Sequence, residues 1–346
     1  MKDARIQRKK SEPSLDDVAR KAGVSAASVS RVLNNVPPIS EKLRAAVESA
    51  AAELGYVPRN PKAAHNSSMI AVFCTDLSNP VFTEIIGGIE DRASSHSLGS
   101  ILIDLRGGRA PWDQVRNFFS NYKPLGHIVL GPVLSDQTLL ELAGHGRIPL
   151  VVVNHILRHS AIRSVNIDHA KATYNATTHL LNLRHRRIAF LGSNSTSPVT
   201  EEKVKGVRDA FADFGLELRD QDVLPGHATI EWGFHATKTV IARSVTERPT
   251  AIVCSCDLIA LGVLHAVRSL GLSVPKDVSV VGFDDIPMAC HSNPALTTVS
   301  PPKYEMGALA VDLLLSSETG STSINDYVML ESPLVVREST AECSQK

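Results

Sequence analysis

The chain has 346 residues, 43% of them hydrophobic, with 36 Lys and Arg against 36 Asp and Glu, so it suits two or three globular domains. No apolar run reaches the length of a membrane span, and the basic N-terminus lacks the apolar core and small-residue cleavage site of a signal peptide. The neutral balance conceals a division: residues 1–62 hold twelve Lys and Arg against seven Asp and Glu, a net of +5, and the remainder carries −5. A basic head on an acidic body points to a polyanionic partner for the head alone. The five cysteines (Cys74, Cys254, Cys256, Cys290 and Cys343) are odd in number and dispersed, which fits reduced thiols in a cytosol.

Residues 1–12 read as a disordered basic tail. The stretch Ser14–Asn34 then reads as two short helices around a tight turn. Ser14 and Asp17 form a capping-box start, and Leu15, Val18, Ala19 and Ala22 lay an apolar face on the first helix. Gly23 closes that helix. Ser25 caps a second, from which Val29, Val32 and Leu33 face back. Ala26, Ala27, Ser28 and Arg31 are left on the outer face, small enough to enter a major groove. A third helix starts at Ser40 with Leu43, Ala46, Val47, Ala50 and Leu54 as its buried stripe, and Gly55 stops it. Residues 58–68 are rich in proline, asparagine and serine and read as a linker.

From Met69 short apolar runs alternate with amphipathic helices. Strands are expected over Met69–Cys74, Ser100–Leu105, His127–Leu130, Leu150–Val153, Arg187–Leu191, Ala251–Ser255 and Val278–Phe283. Helices are expected over Pro80–Ser94, Trp112–Tyr122, Leu139–Ala143, Lys203–Phe214 and Leu258–Leu270, with a turn at Gly107-Gly108. This alternation predicts an α/β core of two doubly wound parallel sheets, with ligands bound beyond the carboxyl ends of the strands.

The wording DVARKAGVSAASVSRVLNN, followed by SEKLRAAVESAAAELGY, closely resembles the DNA-binding head of the lactose-repressor family of bacterial transcription regulators. DLSNPVF, IPLVVVN, RPTAIVCSCDLIALGVLHAVRSLGLSVPKDVSVVGFDDI and NPALTTV carry the resemblance through the rest of the chain. It implies a helix-turn-helix domain over 13–57, a hinge linker over 58–68 and a periplasmic-binding-protein-like core over 69–340. The core would comprise an N-lobe at about 69–166 and 296–324 and a C-lobe at about 167–295 and 325–340, with 341–346 a tail.

The resemblance further implies a cytosolic regulator, most often a repressor in this family. It would bind a near-palindromic operator as a homodimer, since no terminal leucine heptad is present to join dimers into tetramers. Ser25, Ala26, Ala27, Ser28, Ser30, Arg31 and Asn34 would face DNA, with Arg59 and Lys62 touching phosphate or minor groove. The linker aligns His65 with the leucine that wedges into DNA in relatives. An effector would lie between the lobes on Phe82, Asn154, Lys203, Cys256 and Asp284, with Asp76 a lesser candidate.

Three positions depart from the family. Lys203 stands where Arg is usual, Cys256 where Asn is usual, and Ala228 where several relatives carry a stacking aromatic. A sugar or related polar metabolite remains the leading effector class, with an acidic or more apolar molecule an alternative. A core acting mainly as a dimerisation scaffold is a second reading, and a solute-binding protein a third. No phosphate loop, GxSxG elbow or HExxH motif occurs, so no enzyme activity, cofactor or metal is expected.

Overall fold

The head consists of α1 (Leu15–Ala22), α2 (Ala26–Leu33) and α3 (Glu41–Leu54). The computed structural model describes residues 13–33, 39–54, 56, 68–74, 76–105, 124–131, 134–143, 148–156, 162–193, 197–316 and 327–344. The capping box is formed: the Ser14 hydroxyl accepts from the Asp17 N–H at 3.3 Å, and the Asp17 carboxylate accepts from the Ser14 N–H at 2.9 Å. Gly23 adopts φ 68° at the end of α1, a left-handed conformation that glycine takes without a Cβ penalty. Ser25 opens α2 by accepting the Ser28 N–H at 3.1 Å. Val18, Val29 and Val47, one from each helix, are fully buried and form the centre of the head. Lys21 on α1 and Glu53 on α3 pair at 2.8 Å on its surface.

The first lobe of the core is built on β1 (Met69–Cys74), β2 (Gly99–Asp104), β3 (Gly126–Leu130), β4 (Leu150–Val153), β5 (Arg163–Ile167) and β11 (Tyr327–Leu330), in the order β11-β5-β4-β3-β1-β2. Its helices are α4 (Val81–Ser95), α5 (Asp136–Leu142) and α11 (Lys303–Ser316). The second lobe holds β6 (Ile188–Leu191), β7 (Val223–Leu224), β8 (Ala251–Cys254), β9 (Ser279–Phe283), β10 (Thr297–Val299) and β12 (Leu334–Val335), in the order β12-β10-β9-β8-β6-β7. Around them lie α6 (His169–Asn182), α7 (Pro198–Asp213), α8 (Ile230–Ile241), α9 (Asp257–Ser269) and α10 (Pro287–His291). The central strands β3, β4, β6 and β8 are buried along their whole length, which explains their unbroken apolar runs. Strand β12 runs antiparallel to β10, whereas β10 runs parallel to β9 and β11 parallel to β5.

Helices α4 and α11 pack backbone to backbone in the first lobe. A Cβ on Gly88 would lie 2.0 Å from the Tyr304 carbonyl oxygen, and one on Gly307 would lie 2.0 Å from that of Ile85. Gly88 thus marks a helix crossing, whereas Gly87 has open space around it.

Two lobe assignments need correction. Thr297–Val299, expected in the N-lobe, pairs with β9 of the second sheet, and Tyr327–Leu330, expected in the C-lobe, pairs with β5 of the first. The sheet that a short strand joins is decided by hydrogen-bond pairing over long sequence separation, which its own residues do not encode. The chain therefore crosses between lobes after β5, β10 and β11. Helix α7 also starts earlier than expected, with Pro198 at its first turn. The expected helix Trp112–Tyr122 and the turn at Gly107-Gly108 lie outside the described residues, as do Gly55 and the linker up to Ser67.

Candidate functional site

Two regions gather the expected residues. On the head, Ser25, Ala27 and Arg31 are exposed, and Ser28 and Ser30 are half-buried. Ala26 departs from expectation: it is half-buried and packs against the head core, because the first turn of α2 leans on α1. The outer face of α2 is therefore narrower, built on Ala27 and Arg31 with the serines beside them. Asn34, Arg59, Lys62 and His65 lie outside the described residues.

In the core, the lobes meet around a cavity of about 10 Å3, room for one water, lined by Val81, Ile85, Asn154, Phe283, Asp284 and Lys303 among others. Asn154 ends β4 in a left-handed conformation (φ 57°), and its N–H donates to the Val165 carbonyl at 3.0 Å. Its side-chain Oδ1 is buried without a hydrogen-bond partner. Asp284 ends β9 at φ 107° and is followed by Asp285 at φ 50°, a turn that only a tightly held chain sustains with non-glycine residues. Asp285 is that hold: its carboxylate accepts from Arg337 at 2.7 Å and from the Ser300 hydroxyl at 2.9 Å.

Lys203 on α7 is 6% exposed and donates to the Ser255 carbonyl at 2.8 Å. Its Nζ sits 3.4 Å from the centre of the Phe283 ring, a cation–π contact shielded from water. Burial lowers its pKa, and the nearby Asp284, Cys256 and Asp257 oppose that shift. Burial pushes the Asp284 carboxyl up to about 6, against the pull of the Lys203 and Lys303 ammoniums. The Cys256 thiol, at the start of α9, is pushed up to about 12 by burial and by Asp284, so it stays neutral and unreactive. Lys203, Cys256 and Asp284 are therefore one electrostatic cluster, and Asn154 faces the same cavity as Asp284.

Phe82 and Asp76 are not part of it in the same way. Phe82 is buried within the first lobe, and its neighbours Val81 and Ile85 on α4 line the cavity. The exposed Asp76 folds back on its own turn, accepting from the Ser78 N–H at 2.9 Å and the Ser78 hydroxyl at 2.6 Å. It is a turn residue by geometry. Ala228 packs at the margin of the second-lobe core.

Four residues beyond those expected complete the site. Asp257 is fully buried beneath the cleft, where it accepts from the Ile286 N–H and the Thr298 hydroxyl. Gly282 leaves the space for it, since a Cβ there would lie 2.1 Å from its Oδ1. His169, the first residue of α6, is 3% exposed and stacks on Phe283 with ring centres 5.9 Å apart. Both of its ring nitrogens lack partners, and burial together with the Lys203 charge keeps the imidazole neutral. The Ser255 hydroxyl is likewise unpartnered. Lys303, 3% exposed at the start of α11, donates to the carbonyls of Asp284 at 2.7 Å and Asp285 at 3.1 Å. The sequence signal for Lys303 was a lysine directly after Pro301-Pro302, and for His169 a histidine after the helix cap Asp168.

Among the described residues no helix is long and apolar enough to cross a membrane. The model for bacterial regulatory proteins of the lacI family matches residues 14–59, and the periplasmic binding protein-like domain matches residues 177–340. The chain is 31% identical to catabolite control protein A of Priestia megaterium over 328 residues, covering 94% of this chain and 98% of that protein. The lac repressor dimer bound to operator and the anti-inducer ONPF is similar with 28% identity and a TM-score of 0.74, over 95% of this chain and 99% of the other. The transcriptional regulator CelR in complex with cellobiose is similar with 29% identity and a TM-score of 0.72, over 94% and 99%. With a matching head, two parallel-sheet lobes and a relative aligned almost end to end, this chain belongs to the lacI family of bacterial regulatory proteins and is a DNA-binding transcription regulator.

Proposed function

We propose that the protein is a cytoplasmic repressor that binds a near-palindromic operator as a homodimer and is controlled by a small polar effector between its lobes, with no enzymatic step. The observation that carries the effector site is the cleft itself. It draws Asn154 from the first lobe toward Lys203, Cys256 and Asp284 of the second, and leaves buried polar atoms of Asn154, His169 and Ser255 unpartnered. Buried polar groups without partners cost about 1–3 kcal/mol each, a cost that a hydroxyl-bearing ligand offsets. The cellobiose held by CelR supports a sugar or a chemically related metabolite as the effector class.

On the head, Ser25, Ala27, Ser28, Ser30 and Arg31 are the proposed DNA-facing set. The operator bound by the lac repressor dimer supports two copies of α2 reading two half-sites. Arg59, Lys62 and Asn34 are proposed as flanking phosphate or minor-groove contacts, consistent with the +5 charge of residues 1–62.

A thermal-shift screen of sugars, sugar acids and nucleobases, followed by DNA titration with each hit, tests the proposal. A hit that changes operator affinity is the expected outcome. A second reading, a core that only dimerises, draws on the cavity holding no more than about one water. Absence of any hit, with dimerisation and operator binding intact, would favour that second reading.

A further inference from the structure

Lys303 stands at a junction. It opens α11, the first-lobe helix packed on α4, four residues after the last residue of the second-lobe strand β10. Its ammonium has three donors. Two are directed at the second lobe, to the carbonyls of Asp284 and Asp285. On the other side, Nζ lies 3.3 Å from the Glu84 carboxylate on α4 of the first lobe. The two carbonyls belong to consecutive residues in left-handed conformations, so the turn that aims them is itself uncommon. The side chain lines the same cavity as Asn154 and Asp284.

We infer that Lys303 is an inter-lobe brace and a built-in competitor for the cleft, holding the lobes together by bridging Glu84 to the Asp284 and Asp285 carbonyls until an effector displaces it. This rests on the effector site proposed above. An occupant larger than one water must move the lysine or part the lobes, because the cavity beside it is about 10 Å3. An occupant that takes over its role must donate hydrogen bonds to two main-chain carbonyls. That requirement selects hydroxyl- or amine-bearing molecules, since ionised carboxylates and phosphates only accept there. The lysine charge is already met by Glu84 and by the field of Asp284, so little attraction for an anion is left over. Effector affinity is then reduced by the fraction of molecules in which the brace is closed.

Hydrogen exchange on the full-length protein, read by mass spectrometry, tests the brace without knowledge of the effector. In Lys303→Met, amides in residues 282–287 of the second lobe and in residues 81–88 of the first are both expected to exchange about tenfold faster. Lys303→Arg, which keeps donors for the carbonyls, is expected to restore most of the protection, and Glu84→Gln to loosen residues 81–88 in part. Faster exchange confined to residues 282–287, or no change in either segment, overturns the brace. Cellobiose and ribose are then used as probes in thermal-shift titrations of wild type and Lys303→Met. A larger shift in the variant is expected, and a smaller one would make Lys303 a ligand contact and overturn the competitor role. If neither sugar shifts either protein, the proposed sugar class is in question while the exchange result still decides the brace.

Discussion

Asp257 and Thr298 are joined by a 2.6 Å hydrogen bond from the threonine hydroxyl to the carboxylate, tying the start of α9 to β10 directly beneath the cleft. Both residues are fully buried, and the second carboxylate oxygen receives the Ile286 N–H that begins the short helix after the Asp284–Asp285 turn. Burial pushes the Asp257 carboxyl up to about 7, the Asp284 charge adds to that, and the two hydrogen bonds pull the other way. Thr298→Val keeps the shape of the side chain and deletes one of those bonds. It is expected to lower the unfolding free energy of the core by about 1–3 kcal/mol at neutral pH, where the carboxylate needs its donors most. Urea denaturation at pH 5 and pH 8 checks this, with the larger loss expected at pH 8.

The same buried carboxyls give stability a definite pH dependence. Asp284 releases its proton near pH 4 when unfolded and near pH 6 when folded. Between those values the folded chain holds more protons than the unfolded one, so this contribution to stability falls as pH rises and is lost above the folded pKa. Asp284→Asn removes the titration. Its stability is expected to fall less than that of wild type between pH 4 and pH 7, by about 1–3 kcal/mol, and the decline that persists is assigned to Asp257. Parallel stability curves for the two proteins would contradict this.

The parts of this molecule written in local sequence were the parts legible in it. Ser14, Asp17, Gly23 and Ser25 set the ends of α1 and α2 through bonds spanning three to five residues. Lys203, Cys256 and Asp284, which the family resemblance implies, form one electrostatic cluster, with Cys256 and Asp284 just beyond the buried strands β8 and β9 and Lys203 reaching them from α7. What stayed hidden depends on distant segments meeting. Lys303 acquires its meaning from Glu84, 219 positions earlier, and His169 from a ring at position 283. The exchange of β10 and β11 between lobes has the same origin. Helix orientation adds a finer division, because a helix surface turns about 100° per residue: Ala26 packs against the head core while its neighbour Ala27 is exposed, and Phe82 is buried while its neighbour Val81 lines the cavity.

On the head, Arg31→Ala is expected to weaken operator binding by about 1–3 kcal/mol, and Lys9→Ala by much less. Arg31 is exposed on the outer face of α2, a fixed helix, whereas Lys9 belongs to a charged stretch at the N-terminus. Titrations against operator and random duplexes separate the roles: an equal loss on both would reduce Arg31 to a phosphate contact. Ala27, also exposed on that face, cannot hydrogen-bond a base through its methyl group. Ala27→Gln is therefore expected to shift base preference in selection from a randomised operator library, and Ala26→Gln to disturb the head fold instead, because Ala26 packs inward.

Effector class is read most directly by reversing the two substitutions that face Phe283 and Asp284. Lys203→Arg restores a planar guanidinium able to stack on the Phe283 ring that now lies 3.4 Å from the ammonium. Cys256→Asn restores an amide in place of a thiol that burial keeps protonated, at a helix N-terminus where Asn is also the better cap. Together they return a donor–acceptor set suited to sugar hydroxyls. The double variant is expected to bind a neutral sugar such as cellobiose at least about tenfold more tightly than wild type in calorimetry, a gain of about 1.4 kcal/mol. Such a gain would mean that the wild-type cleft is tuned to a different molecule from the sugar tested. Weaker binding by the double variant would show instead that Lys203 and Cys256 are themselves the matched pair for that sugar, and equal binding would show that neither side chain discriminates it.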